Sequence, residues 1–167
     1  MTNIHPIVVH FPIAFLVVYA LCELLRFRKI TGQPYWFYLK AFLVIVGILG
    51  AFVAYQAGEA IEHLFEAEYG EVVRVHALFA RISIMLFGIL AASYFIAWLN
   101  RLKTINSSSW RMLTRIQVFV LETSIAIVLA IIGLSAISIT GALGAAIAHG
   151  PDSDPFVSFI YQIFIGY

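Results

Sequence analysis

The stretch His5-Pro6-Ile7-Val8-Val9-His10-Phe11-Pro12-Ile13-Ala14-Phe15-Leu16-Val17-Val18 decides how this chain is read. A polar entrance with two imidazoles opens directly into an unbroken apolar run. Proline is tolerated in a first helical turn, where its missing N–H would be unbonded anyway. The run continues almost to Arg26 without a charge pattern of period 3.6, so it has no face meant for water. Apolar runs of about 20 residues are what a bilayer span requires.

Three more such runs follow. Together the candidate spans cover about 7–25, 35–57, 77–99 and 116–148. The whole chain of 167 residues is 62% hydrophobic and only 11% charged. Its mean hydropathy is +0.97. A water-soluble domain of this size has no interior large enough for that much apolar surface. The runs lack the alternation of period two that a membrane barrel would show. The expected fold is therefore all-α: one polytopic membrane domain, a four-transmembrane-helix up-down bundle, with a short C-terminal interfacial helix. No basic segment precedes the first span and no small-x-small cleavage site follows it, so it reads as a retained helix. Net charge is near zero, which offers nucleic acid no electrostatic footprint. Cys22 is the only cysteine and leaves the redox compartment open.

Charge sets the expected topology. Arg26, Arg28, Lys29 and Lys40 surround the first loop, and Arg101, Lys103, Arg111 and Arg115 the third. The second loop has Glu59, Glu62, Glu66, Glu68 and Glu71 against Arg74, and the tail has Asp152 and Asp154. The positive-inside rule then predicts the cytoplasmic (inner) membrane, with loops one and three in the cytoplasm and both termini outside. Trp36, Trp98 and Trp110 all fall at the predicted inner interface, where an indole keeps its ring in lipid and its N–H in water.

Individual spans carry further expectations. A small-residue stripe, Gly47, Ala51, Ala54 and Gly58, lets another helix or a flat ligand approach span two. Arg81 stands more than one turn inside span three and requires a partner or a route to the interface. Span four is too long: as one helix, 116–148 would reach about 50 Å against a core of about 30 Å. It must tilt, project or break, and Gly133, Gly141 and Gly144 are the expected weak points. Glu122 lies in its inner part, within reach of Arg115 or the interface. In the tail at 155–167, Phe156, Phe159, Ile160, Ile163 and Phe164 recur at helical spacing and read as an amphipathic helix on the outer surface.

On this topology every histidine, His5, His10, His63, His76 and His149, belongs to the outer side. Histidine sits readily at helix ends, and that plain reading suffices for His63 and His149. His10 and His76 differ, because each adjoins the apolar run of its own helix and is followed four residues later by alanine (Ala14, Ala80). If spans one and three are diagonal, two imidazoles facing across the core are one way to hold haem b. Arg74 or Arg81 would then neutralise a propionate. The alternative is a zinc or copper site drawn from His10, His76, His5, His63 and His149 with Glu59. Depth tempers the His10–His76 pair. Counted from mid-span, His10 is seven residues up and His76 twelve, a mismatch of about 7 Å, so His5 suits His76 better.

The pattern His5-Pro6-x-x-x-His10-Phe11-Pro12, the Gly58-Glu59 pair and His76 opening span three resemble the bacterial predicted membrane protein family called domain of unknown function 2231. The resemblance covers the four-span domain and implies a small helical membrane fold without an assigned activity. Related domains are associated with cytochrome c modules, which implies redox work. His5, His10 and His76 are the positions that match the family pattern.

Three functions follow as expectations. The first is an electron-transfer subunit with haem near the outer face, working between a membrane redox complex and an external cytochrome c. The second is a non-catalytic accessory subunit of a larger membrane complex. The third is an outer-side zinc or copper protein. A stand-alone enzyme is the weaker reading, because no nucleophile–base pair or phosphate loop is present.

Overall fold

The computed structural model describes residues 5–25, 27–60, 66–102 and 107–166, without side chains at 5–8, 28 and 66–69. His63, Arg26 and Lys103 lie outside these residues, as does the His5 side chain. Seven helices are described: α1 (His5–Leu24), α2 (Arg28–Thr31), α3 (Pro34–Glu59), α4 (Glu66–Leu102), α5 (Ser108–Glu122), α6 (Ile125–His149) and α7 (Pro155–Phe164). No β-strand occurs among the described residues. Three helices, α3, α4 and α6, contain stretches long and apolar enough to cross a membrane: Pro34–Glu59, Gly70–Leu102 and Ile125–His149.

The long helices pack side by side. α1 packs on α3 and α6, and α4 packs on α3 and α6, which makes α1 and α4 diagonal partners. One core fills the bundle, with Leu16, Tyr19, Val44, Phe87 and Leu90 wholly enclosed. A second, smaller core lies where α4, α6 and α7 meet; Val72, Leu143, Ala146, Val157 and Ile160 build it. Asp154 caps α7 by accepting from the backbone N–H groups of Phe156 and Val157, which fixes where that helix starts.

Small residues bring the helices close. A methyl group added at Gly47 would stand 2.7 Å from a Leu16 methyl, and one at Gly133 would stand 2.9 Å from the Phe87 ring. The stripe on α3 thus receives α1, which is helix packing. α1 runs through Pro12 without ending there, and Pro12 is buried opposite Gly50.

The long fourth hydrophobic run breaks, but not at a glycine. α5 stops at Glu122 and α6 begins at Ile125. Thr123 makes the junction: its hydroxyl donates to the Phe119 carbonyl at 2.6 Å and accepts from the Ile125 N–H at 3.2 Å. One side chain thereby satisfies orphan groups of both helix ends. Gly133 and Gly144 are instead contact points, against Phe87 and His76.

Candidate functional site

Helical register fixes the relative heights of the side chains. On α1, the Tyr19 ring touches both Phe87 and Tyr94 of α4, with centroids 6.2 and 5.8 Å apart, and Glu23 accepts from Tyr94. Residue n of α1 is therefore level with about residue n + 71 of α4. On that scale His10 lies about 8 Å below His76, and the His5 backbone is about level with it, at 1.5 Å per residue.

The structure does not bring His10 and His76 together. His10 is exposed. It lies about 135° around the helix from the buried stripe of Pro12, Leu16, Tyr19, Ala20 and Glu23. The expectation of His10 and His76 facing one another across the core therefore fails on geometry. His76 is half-buried and turns toward α6. Its Nδ1 lies 2.9 Å from the carbonyl oxygen of Thr140. A carbonyl only accepts, so Nδ1 carries a proton, and in the neutral ring the lone pair is then on Nε2. A methyl group at Gly144 would be 3.2 Å from His76 Cε1, so that glycine makes room for the ring. A backbone carbonyl holding Nδ1–H is how proteins fix the tautomer and orientation of a ligating imidazole.

The remaining predicted residues are dispersed. His149 ends α6 and is exposed. Arg74 is exposed and lies 3.7 Å from Glu71. Arg81 has found a partner within the chain: its Nε donates to the Tyr55 hydroxyl at 2.6 Å, that hydroxyl donates to Glu59 at 2.7 Å, and the guanidinium is 3.9 Å from the carboxylate. This triad joins α3 to α4 and accounts for an arginine so far inside an apolar run. Among the described residues, no three of His, Cys, Asp and Glu gather as a metal cage.

A second polar cluster went unseen in the sequence reading. Glu23 of α1 is 6% exposed and receives Lys40 of α3, whose Nζ is 3.1 Å from both carboxylate oxygens. Tyr94 of α4 donates to the same carboxylate at 2.9 Å. Lys40 also lies 5.5 Å from the Tyr94 ring centroid. The Tyr19 hydroxyl is fully buried beside them and interacts with both Glu23 and Tyr94, without a hydrogen bond of good geometry to either. Lys40 reads from sequence as one more loop-flanking charge, whereas it is half-buried against Glu23 and Tyr94. The available signal was Glu23, a carboxylate four residues after Tyr19 and seven after Leu16 on the stripe that packs inward. Trp36 is likewise buried in the core instead of facing lipid.

Apolar helices of spanning length, a bundle core and charges paired inside it define a helical membrane protein. The chain belongs to the family of predicted membrane proteins DUF2231, which it matches over residues 1–150. No curated protein and no solved structure matches it.

Proposed function

We propose that this chain is a four-span domain of the cytoplasmic membrane that holds haem b near its outer face and passes electrons between a membrane redox complex and an external cytochrome c. α1, 20 residues long, is the fourth span. Both termini are outside, and α7 lies at the outer interface. Two features support that orientation: the basic side chains around α2 and α5, and the acidic ones between α3 and α4.

One observation carries the haem reading, the His76 imidazole oriented by the Thr140 carbonyl with its lone pair on Nε2. His76 would be one of the residues holding the haem. His5 would be the other, in place of His10: it is seven residues before Pro12 and eleven before Leu16, in register with the α1 face that packs inward, and nearer to His76 in height. Arg74 serves the propionates, since Arg81 is engaged by Glu59 and Tyr55. Bound iron would supply reversible one-electron chemistry, and the protein would supply ligands and a dry surrounding.

The test is a reduced-minus-oxidised visible spectrum of the detergent-purified protein grown with ample haem precursor. A Soret and α-band should be present, vanish in His76→Ala and His5→Ala, and persist in His10→Ala. A colourless preparation carrying stoichiometric zinc or copper would replace this reading with the metal site. A colourless, metal-free protein that co-purifies with one membrane partner would replace it with the accessory subunit.

A further inference from the structure

The inner end of the bundle carries a surface that the outer site does not use. Ser107 caps α5 by accepting from the Trp110 N–H. Asn100, two residues before the end of α4, accepts from the Trp110 indole at 2.6 Å and donates to Thr114 at 3.2 Å. The first turns of α5 are thereby held level with the end of α4 and with Trp98. Gln117 and Val120 face the protein and are buried. The opposite side is open. Met112, Ile116 and Phe119 are exposed at spacings of four and three, forming one apolar stripe. Arg111 and Arg115, also exposed, flank it one turn apart. An open groove of about 530 Å³ runs from Thr114 and Arg115 over Val118 and Phe119 to Glu122 and Thr123. Among the described residues Arg115 makes no ion pair.

We propose that this groove binds an anionic phospholipid of the inner leaflet. Arg115 takes the phosphate at the level of the inner aromatic residues. The apolar floor of Val118 and Phe119 receives the start of an acyl chain, toward the bilayer middle. Charge selects the occupant. Arg115 is exposed at the groove, and a cationic, half-apolar helix at an interface is attracted to anionic headgroups. A zwitterionic lipid fills the apolar floor equally well but gains less from the guanidinium. Glu122 faces the same groove and opposes an anionic head, so its neutralisation should strengthen binding. The inference rests on the membrane placement proposed above and is independent of haem.

Native mass spectrometry of delipidated protein, titrated with phosphatidylglycerol or phosphatidylcholine of matched chains, tests it. The wild type should retain the anionic lipid about fivefold more than the zwitterionic one, the increment expected of one basic group at the headgroup level. Arg115→Gln should bring that ratio close to one, and Glu122→Gln should raise it. Equal retention by the wild type, or an unchanged ratio in Arg115→Gln, would overturn the proposal. A second measurement separates this failure from failure of the placement. Phe119→Trp, with the native tryptophans kept and its quenching read as the gain over the wild type, is reconstituted into vesicles holding brominated-chain lipid. Quenching by brominated phosphatidylglycerol above that by brominated phosphatidylcholine supports the site. Equal quenching by both overturns the selectivity and keeps the placement, and no quenching by either overturns both.

Discussion

Two clusters of the same composition stand at opposite ends of the bundle. At the end proposed above to be the inner one stand Tyr94, Glu23 and Lys40; at the proposed outer end stand Tyr55, Glu59 and Arg81. Each joins a tyrosine hydroxyl, a carboxylate and a cation. They differ in what surrounds them. Glu23 and Lys40 are 6% and 16% exposed, whereas Glu59 and Arg81 are 45% and 62% exposed. The inner cluster ties three helices, α1, α3 and α4, and the outer one ties only α3 and α4. Chemistry alone therefore does not rank them. Enclosed charges have no water to fall back on when a partner is removed, and exposed charges do.

The largest effect is expected from removing one enclosed charge. Glu23→Ala leaves Lys40 buried and unpaired, and should cost about 3–5 kcal/mol, read as a large fall in the melting temperature in detergent. A melt indistinguishable from wild type would break the comparison at its root. Replacing both partners with apolar side chains tests the cause. Glu23→Leu with Lys40→Met should recover most of the loss, because the penalty comes from the orphaned charge and not from the missing attraction. If the double variant is as unstable as Glu23→Ala, packing volume and not charge governs this region.

The two inner tyrosines give a smaller and sharper contrast. Tyr94→Phe deletes a hydrogen bond to a carboxylate and should cost about 1.5–3 kcal/mol in the same melt. Tyr19→Phe deletes a buried hydroxyl that makes no bond of good geometry, and should cost less than Tyr94→Phe. Equal losses from both would show that the Tyr19 hydroxyl is bonded in the membrane. The smallest effect belongs to the outer triad, where Glu59→Gln should cost at most about 1 kcal/mol, and less at high salt. A loss comparable to Glu23→Ala would mean that a neighbouring molecule encloses the triad.

The same contrast explains what could be read in advance. Tyr55 and Glu59 are four apart on one helix, so sequence spacing already makes them neighbours. Glu23 is separated from Lys40 by 17 positions and from Tyr94 by 71, and no periodicity brings such residues together. His76 opening the third span was visible as a candidate, because an imidazole beside an apolar run is costly without a role. Its hydrogen bond to Thr140, 64 residues away, was not. His10 looked equivalent from sequence. The face it occupies on α1 was decided by which neighbours the helix acquired.

By itself the sequence determined that this chain is helical and built for a membrane, because apolar runs of spanning length leave no other way to satisfy the backbone. Its short N-terminal pattern also determined the family. Only the tertiary structure decided that the long fourth run breaks at Thr123, that Arg81 closes on Glu59, that His10 and His76 point apart, and that Glu23 and Lys40 form an enclosed pair. The reason is one of range: hydropathy is a property of consecutive residues. The partner that a buried polar group finds depends instead on helix rotation and register, which are set by packing between distant segments.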